Sequence, residues 1–202
     1  MPESAPNEKP GMTSPALKLL LTGDPGCGKT TLVRRAVERL RDSVPMRGFL
    51  TEEVLAGGRR QGFRGVTLDG KTFPLADRDD DGTLQVGPYG VMLEGLETVG
   101  LDALRPGPDT RLIVLDEVGK MECFSAAFKE RLEELLAGDT PLLATVAVHG
   151  VGFIKRVRHD PRITLVRMRR QARAGTLGEV LRRLAAAGIG TAGDGQAGSR
   201  RP

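Results

Sequence analysis

Leu17–Thr22 (LKLLLT) is an almost unbroken apolar run, the pattern of a parallel strand covered on both faces. After a glycine-rich turn, Leu32, Val33, Ala36, Val37 and Leu40 recur at helical spacing within Thr30–Arg41, and Pro45 closes this strand–loop–helix unit. The pattern then shortens. Phe49–Val54, Gly62–Leu68 and Thr72–Leu75, divided by Gly57-Gly58 and Asp69-Gly70, predict an antiparallel meander set beside the main sheet. Leu112–Leu115, Leu142–Val148 and Ile163–Val166 predict three further buried strands. A helix through Phe124, Phe128, Leu132, Leu135 and Leu136 separates the first two, and Leu177–Ala187 predicts the last helix. Strands alternating with helices imply an α/β fold with a mainly parallel sheet and right-handed crossovers.

Composition narrows the setting. The 202 residues are 39% hydrophobic and 28% charged, as expected for one globular domain over 16–187, with flexible Gly-, Pro-, Ser- and Ala-rich tails at 1–15 and 188–202. No apolar run approaches the ~20 residues of a membrane helix. The polar, Pro-rich start also lacks the apolar centre of a signal peptide. Cys27 and Cys123 are too few for a disulfide framework, so a reduced, cytoplasmic location is expected. A monomer is the expectation as well. The net charge of +4 invites a polyanion, and from Lys155 to Arg183 ten Lys and Arg face only Asp160 and Glu179. With one tyrosine and no tryptophan, the chain lacks the stacking platforms of single-strand binders. The basic segment therefore reads as a solvated or phosphate-facing surface rather than a nucleic-acid groove. The acidic run Asp77–Gly82 lacks the spacing of a calcium loop and reads as solvated.

One motif decides the chemistry. Gly23-Asp24-Pro25-Gly26-Cys27-Gly28-Lys29-Thr30 fits G-x-x-x-x-G-K-[ST] without a mismatch, and Thr31 follows. Its glycines allow a tight turn whose N–H groups face phosphate oxygens, and the helix start adds its positive end. Lys29 is placed to reach the β- and γ-phosphates, and the Thr30 hydroxyl to ligate Mg²⁺. A second buried strand ends in Asp116-Glu117, at the edge where open α/β sheets bind ligands. Asp116 suits Mg²⁺, while Glu117 suits the activation of a water. Nucleotide contacts are accordingly expected from Gly23 through Thr31 and from Asp116, Glu117, Val118 and Gly119. Cys27 reads as a small space-filler in the loop, and His149 and His159 as surface positions.

Further blocks extend beyond a generic phosphate loop. Gly48-Phe49-Leu50-Thr51-Glu52-Glu53-Val54, Tyr89-Gly90-Val91, Asp116-Glu117-Val118-Gly119-Lys120-Met121-Glu122 and Leu143-Ala144-Thr145-Val146 stand in series. From about Leu17 to Leu184 the chain resembles the THEP1 family of small nucleoside-triphosphatases. That resemblance implies a single RecA-like P-loop domain, Mg²⁺ as cofactor, and hydrolysis of NTP to NDP and phosphate with loose base choice. It also implies catalytic roles for Lys29 and Glu117, with Thr30 and Asp116 at the metal. Lys120 is either a cation for the transferred phosphoryl group or an exposed lysine. Glu52 and Glu53 either face the site or pair with the arginines of the next hairpin. The chain departs from the family in two places. Its Asn-Arg-Asp-like triplet corresponds to Ala172-Arg173-Ala174, leaving Arg173 as the in-chain cation or base contact, and Met92 stands where Asn is usual. Two other functions use the same loop. A nucleotide or small-molecule kinase would need an acceptor site and a mobile Arg-rich lid. A switch module strict for guanine would need an Asn-Lys-x-Asp-like motif, which the sequence lacks.

Overall fold

The computed structural model describes residues 15–170 and 173–190; the predicted tails fall almost wholly outside them. The strands are β1 (Lys18–Gly23), β2 (Met46–Ala56), β3 (Arg59–Thr67), β4 (Thr72–Asp77), β5 (Gln85–Val86), β6 (Tyr89–Val91), β7 (Leu112–Val118), β8 (Leu142–Ala147) and β9 (Ile163–Arg167). The helices are α1 (Lys29–Leu40), α2 (Leu93–Gly95), α3 (Leu101–Ala103), α4 (Ala126–Ala137), α5 (Gly152–Arg158) and α6 (Arg173–Ala186). A π-turn over Leu96–Gly100 joins α2 to α3. No described helix is long and apolar enough to cross a membrane.

Among the described residues the strands form one sheet in the order β5-β6-β4-β3-β2-β7-β8-β1-β9. From β2 to β9 it is parallel; from β2 outward to β5 it is antiparallel. The predicted meander lies beside the parallel strands as an edge-to-edge continuation of the same sheet. β2 begins at Met46, earlier than the apolar pattern shows, and its first four residues pair with β7 before its remainder pairs with β3.

The period-two alternation of the buried strands splits the core into two faces. Leu19, Leu21, Leu112 and Val114 pack with Leu32, Val33, Ala36 and Val37 of α1 and with Val180 and Leu184 of α6. Leu20, Ile113, Leu115 and Ala144 point the other way, onto Phe128, Leu132 and Leu135 of α4, Ile154 and Val157 of α5, and Leu96 of the π-turn. Layers on both faces explain why these strands read as continuous apolar runs. Two boundaries differ from the sequence expectation. α1 stops at Leu40, short of Pro45, and α6 starts at Arg173 rather than Leu177.

The close approach of β2 to β7 depends on Gly48. Its φ is +131°, and a Cβ there would lie 1.8 Å from the Val114 carbonyl oxygen. Gly48→Ala is therefore expected to cost at least about 3 kcal/mol, because neither backbone can give way inside a packed sheet. Chemical denaturation measures this; a loss under 1 kcal/mol would show that β2 can part from β7.

Candidate active site

All the parallel strands present their C-terminal ends on one edge. Gly23 of β1 lies in register with Ala147 of β8, and Thr22 with Arg167 of β9. The glycine-rich turn leaves β1 at that edge, with Gly26 and Gly28 at φ of +70° and +100°, values a side chain rarely tolerates. No side chain caps the start of α1, so its first-turn N–H groups face outward uncapped. Cys27 is buried in the core beneath the turn, as its small size suggests, whereas Asp24, Pro25 and Thr31 are exposed.

β7 supplies the acids. Its ladder with β8 shifts register between Leu115 and Val118, at the Asp116–Glu117 peptide, which is cis. Asp116 is only 1% exposed. Its Oδ1 accepts the Thr145 hydroxyl of β8 at 2.6 Å, and its backbone carbonyl accepts the Thr51 hydroxyl of β2. Oδ2 is buried with no hydrogen-bond partner. Burial raises the Asp116 pKa, against the opposing pull of Thr145, Thr30 and Lys29.

Glu117 is half-buried, and its Oε1 lies 3.5 Å from Lys29 Nζ. The same ammonium donates to the Gly23 carbonyl at 3.1 Å, folding Lys29 back over the turn. Burial raises the Glu117 pKa, the Lys29 ammonium lowers it, and Asp116 raises it again. Beyond them Val118 and Gly119 are buried and Lys120 is exposed. A third acid, Glu122, is wholly buried and accepts the Gly119 N–H at 3.1 Å. Burial first, and then the charges of Glu117 and Asp116, push its pKa up to about 8.

Other expected residues fall where the alternatives differ. Glu52 binds Arg64 of β3 and Arg34 of α1, each at 3.0 Å, and Glu53 pairs with Arg60, so both serve the hairpin arginines. Thr51 of the same block is the residue that turns to the site. Arg173 is the first residue of α6, and its side chain lies outside the described residues. Arg170 instead has a guanidinium nitrogen 3.3 Å from where a Cβ on Gly26 would stand. Nor does the basic segment after β8 form a free lid. Arg156 and Arg162 both reach Glu133 of α4 at 2.9 Å, and Arg158 donates to the Ala147 and Val148 carbonyls. Thr51, Thr145, Arg170 and Glu122 were not identified as site residues from the sequence. The family-like blocks that contain Thr51, Thr145 and Glu122 are the available signal.

The Glu122 shift has a direct consequence for stability. Its carboxyl holds a proton in the fold up to about pH 8, whereas an unfolded glutamate releases it near 4.5. That stabilisation is complete below the unfolded value and is lost as pH rises through about 8. Glu122→Gln has no such proton to lose. Its melting temperature should therefore gain on wild type as pH is raised from 5 to 8.5. A pH-independent difference would show that Glu122 is ionised in the fold.

Comparison with known proteins agrees with this arrangement. A family model described as NTPase matches residues 18–181. The nucleoside-triphosphatase THEP1 of Methanocaldococcus jannaschii is 39% identical over 141 residues, covering 69% of this chain and 83% of that protein. A human cancer-related nucleoside-triphosphatase is 43% identical over 145 residues, 66% of this chain and 76% of its own. The crystal structure of THEP1 from Aquifex aeolicus superposes with a TM-score of 0.76 at 34% identity, covering 83% of this chain and 99% of that one. The glycine-rich turn, the acid pair that ends β7 and the shared fold have one explanation: this chain belongs to the THEP1 nucleoside-triphosphatase family.

Proposed function

We propose that the chain is a Mg²⁺-dependent nucleoside-triphosphatase, converting NTP and water to NDP and phosphate with loose choice of base. The observation that carries this reading is the Glu117 carboxylate held at the phosphate-binding lysine, beside a buried aspartate with one orphaned oxygen. A kinase would have to exclude water from this point; a hydrolase needs a base there.

The acids fit a hard divalent cation. Asp116 Oδ2 is buried without a partner, and no group of three or more His, Cys, Asp and Glu among the described residues encloses a metal by itself. Such a donor set suits Mg²⁺, which is commonly held by one or two carboxylates together with substrate phosphates. Thr30 and Asp116 would hold it. When bound, the ion neutralises charge on the β- and γ-phosphates.

The remaining work belongs to the chain. N–H groups of the Gly23–Gly28 turn and the Lys29 ammonium cradle the phosphates. Glu117 accepts a proton from the attacking water as the new P–O bond forms and the bond to the β,γ-bridging oxygen breaks. Lys29 moves from Glu117 toward the phosphates, leaving Glu117 free to act as base. Lys120, exposed on the turn after Gly119, is a further cation for the transferred phosphoryl group. The acid pair lies on the β7 side of β1 and marks the γ-phosphate end, so the nucleoside extends toward β9. There Arg170 lies over the turn. A guanidinium plane stacks on any base, which suits loose base choice.

Phosphate release from each NTP with Mg²⁺, and with no acceptor present, tests the reading. Lys29→Ala should abolish release, and Glu117→Gln should bind nucleotide while turnover falls by about 10²–10⁴-fold. Release no faster than from the Lys29→Ala control would sink the hydrolase reading. Full turnover in Glu117→Gln would remove Glu117 as the base.

A further inference from the structure

Glu122 stands apart from the machinery above: it is buried, acidic and used by no step. It sits on a 3-10 turn, Glu122–Phe124, with 4% of its surface exposed. It makes no salt bridge among the described residues, and the charged groups acting on it, Glu117 and Asp116, are both negative. Such a group is costly to bury, so its hydrogen bond matters.

That bond, from the Gly119 N–H to Oε2, closes the turn that leaves β7. The backbone reinforces it: Cys123 N–H donates to the Gly119 carbonyl at 3.2 Å and Ser125 N–H to the Glu122 carbonyl at 3.1 Å. The Ser125 hydroxyl in turn donates to Glu97 at 2.6 Å and accepts the Phe128 N–H at 3.0 Å, tying the turn to α4 and the π-turn. Gly119 lies between the two glutamates. A Cβ there would stand 2.9 Å from Glu122 Oε2 and 3.9 Å from Glu117 Cγ. The Glu122 carboxyl thus packs against the backbone just after Glu117.

We propose that Glu122 is a positioning residue for Glu117: by accepting the Gly119 N–H it locks the turn after β7 and holds the Glu117 carboxylate at Lys29. This rests on the reading of Glu117 as the base. Glu122 touches no substrate. It acts through the backbone of Gly119, and what it supplies is an acceptor oxygen rather than a charge.

The test is steady-state hydrolysis of MgATP by Glu122→Ala, Glu122→Gln and Glu117→Gln, and by the Glu117→Gln/Glu122→Ala pair. Removing a group that orients a reacting side chain commonly costs 10–100-fold. Glu122→Ala should therefore lose kcat by about that factor with KM within about threefold. Glu122→Gln, whose amide oxygen still accepts the N–H, should recover most of the loss. In the Glu117→Gln background, Glu122→Ala should cost nothing further, because the group it positions is already gone.

Equal losses in Glu122→Ala and Glu122→Gln would overturn the proposal, as would additive losses in the double variant. Full turnover of Glu117→Gln alone would defeat the assignment of the base instead. Should Glu122→Ala fail to fold, the Gln variant and Gly119→Ala, whose Cβ crowds Oε2, carry the test. Gly119→Ala should lower kcat, and an unchanged kcat would overturn the proposal.

Discussion

The structure turns on a charge imbalance at the end of β7. Asp116 and Glu117 stand side by side there, with the protonated Glu122 in the turn that follows, and among the described residues Lys29 is the ammonium that acts on the first two. Burial raises the pKa of all three. An isolated carboxylate out of water costs several kcal/mol unless a positive charge or strong donors answer it. Here the donors are partial, and one Asp116 oxygen has none. The proposed Mg²⁺ would answer that orphaned oxygen, and a cation accompanied by phosphates matches the cradle beside it.

The surrounding elements can be understood as holding that imbalance in place. β2 and β8 flank β7, and each contributes a threonine: Thr51 to the Asp116 carbonyl and Thr145 to its carboxylate. Gly48 lets β2 approach β7 closely enough for Thr51 to arrive. Past that contact β2 departs into the antiparallel half of the sheet, and Glu52 clamps it through Arg64 to β3 and Arg34 to α1. The helix that offers Lys29 and Thr30 is thereby tied to the strand that supports Asp116. Gly48, Thr51 and Glu52 of this block each help to fix β2 beside Asp116.

Much of this was legible in the sequence because the signals are local. A glycine turn between an apolar run and a helical stripe, and four apolar residues ending in two acids, each declare themselves within one continuous stretch of chain. What stayed hidden depends on distant parts of the chain. Thr51 and Thr145 look like ordinary strand threonines until β2 and β8 are set beside β7. Glu122 looks like a surface glutamate until its turn folds under Gly119. β5 and β6 are too short to show a period, as are α2 and α3 with the π-turn between them. α5 begins at Gly152, in a short glycine-punctuated stretch that shows no clear period. Arg173, reached by counting back from an expected helix start, has a side chain outside the described residues, while among those described Arg170 lies over the glycine-rich turn.

The central claim is that the buried Asp116 carboxylate is completed by a divalent cation that arrives with the nucleotide. The direct measurement is NTP affinity with and without Mg²⁺, in wild type and in Asp116→Asn, read with a fluorescent analogue in the absence of turnover. Wild type should bind at least about tenfold more tightly with Mg²⁺, a difference of about 1.4 kcal/mol. In Asp116→Asn that difference should all but vanish. An Asp116→Asn protein that keeps the full Mg²⁺ dependence would contradict the account.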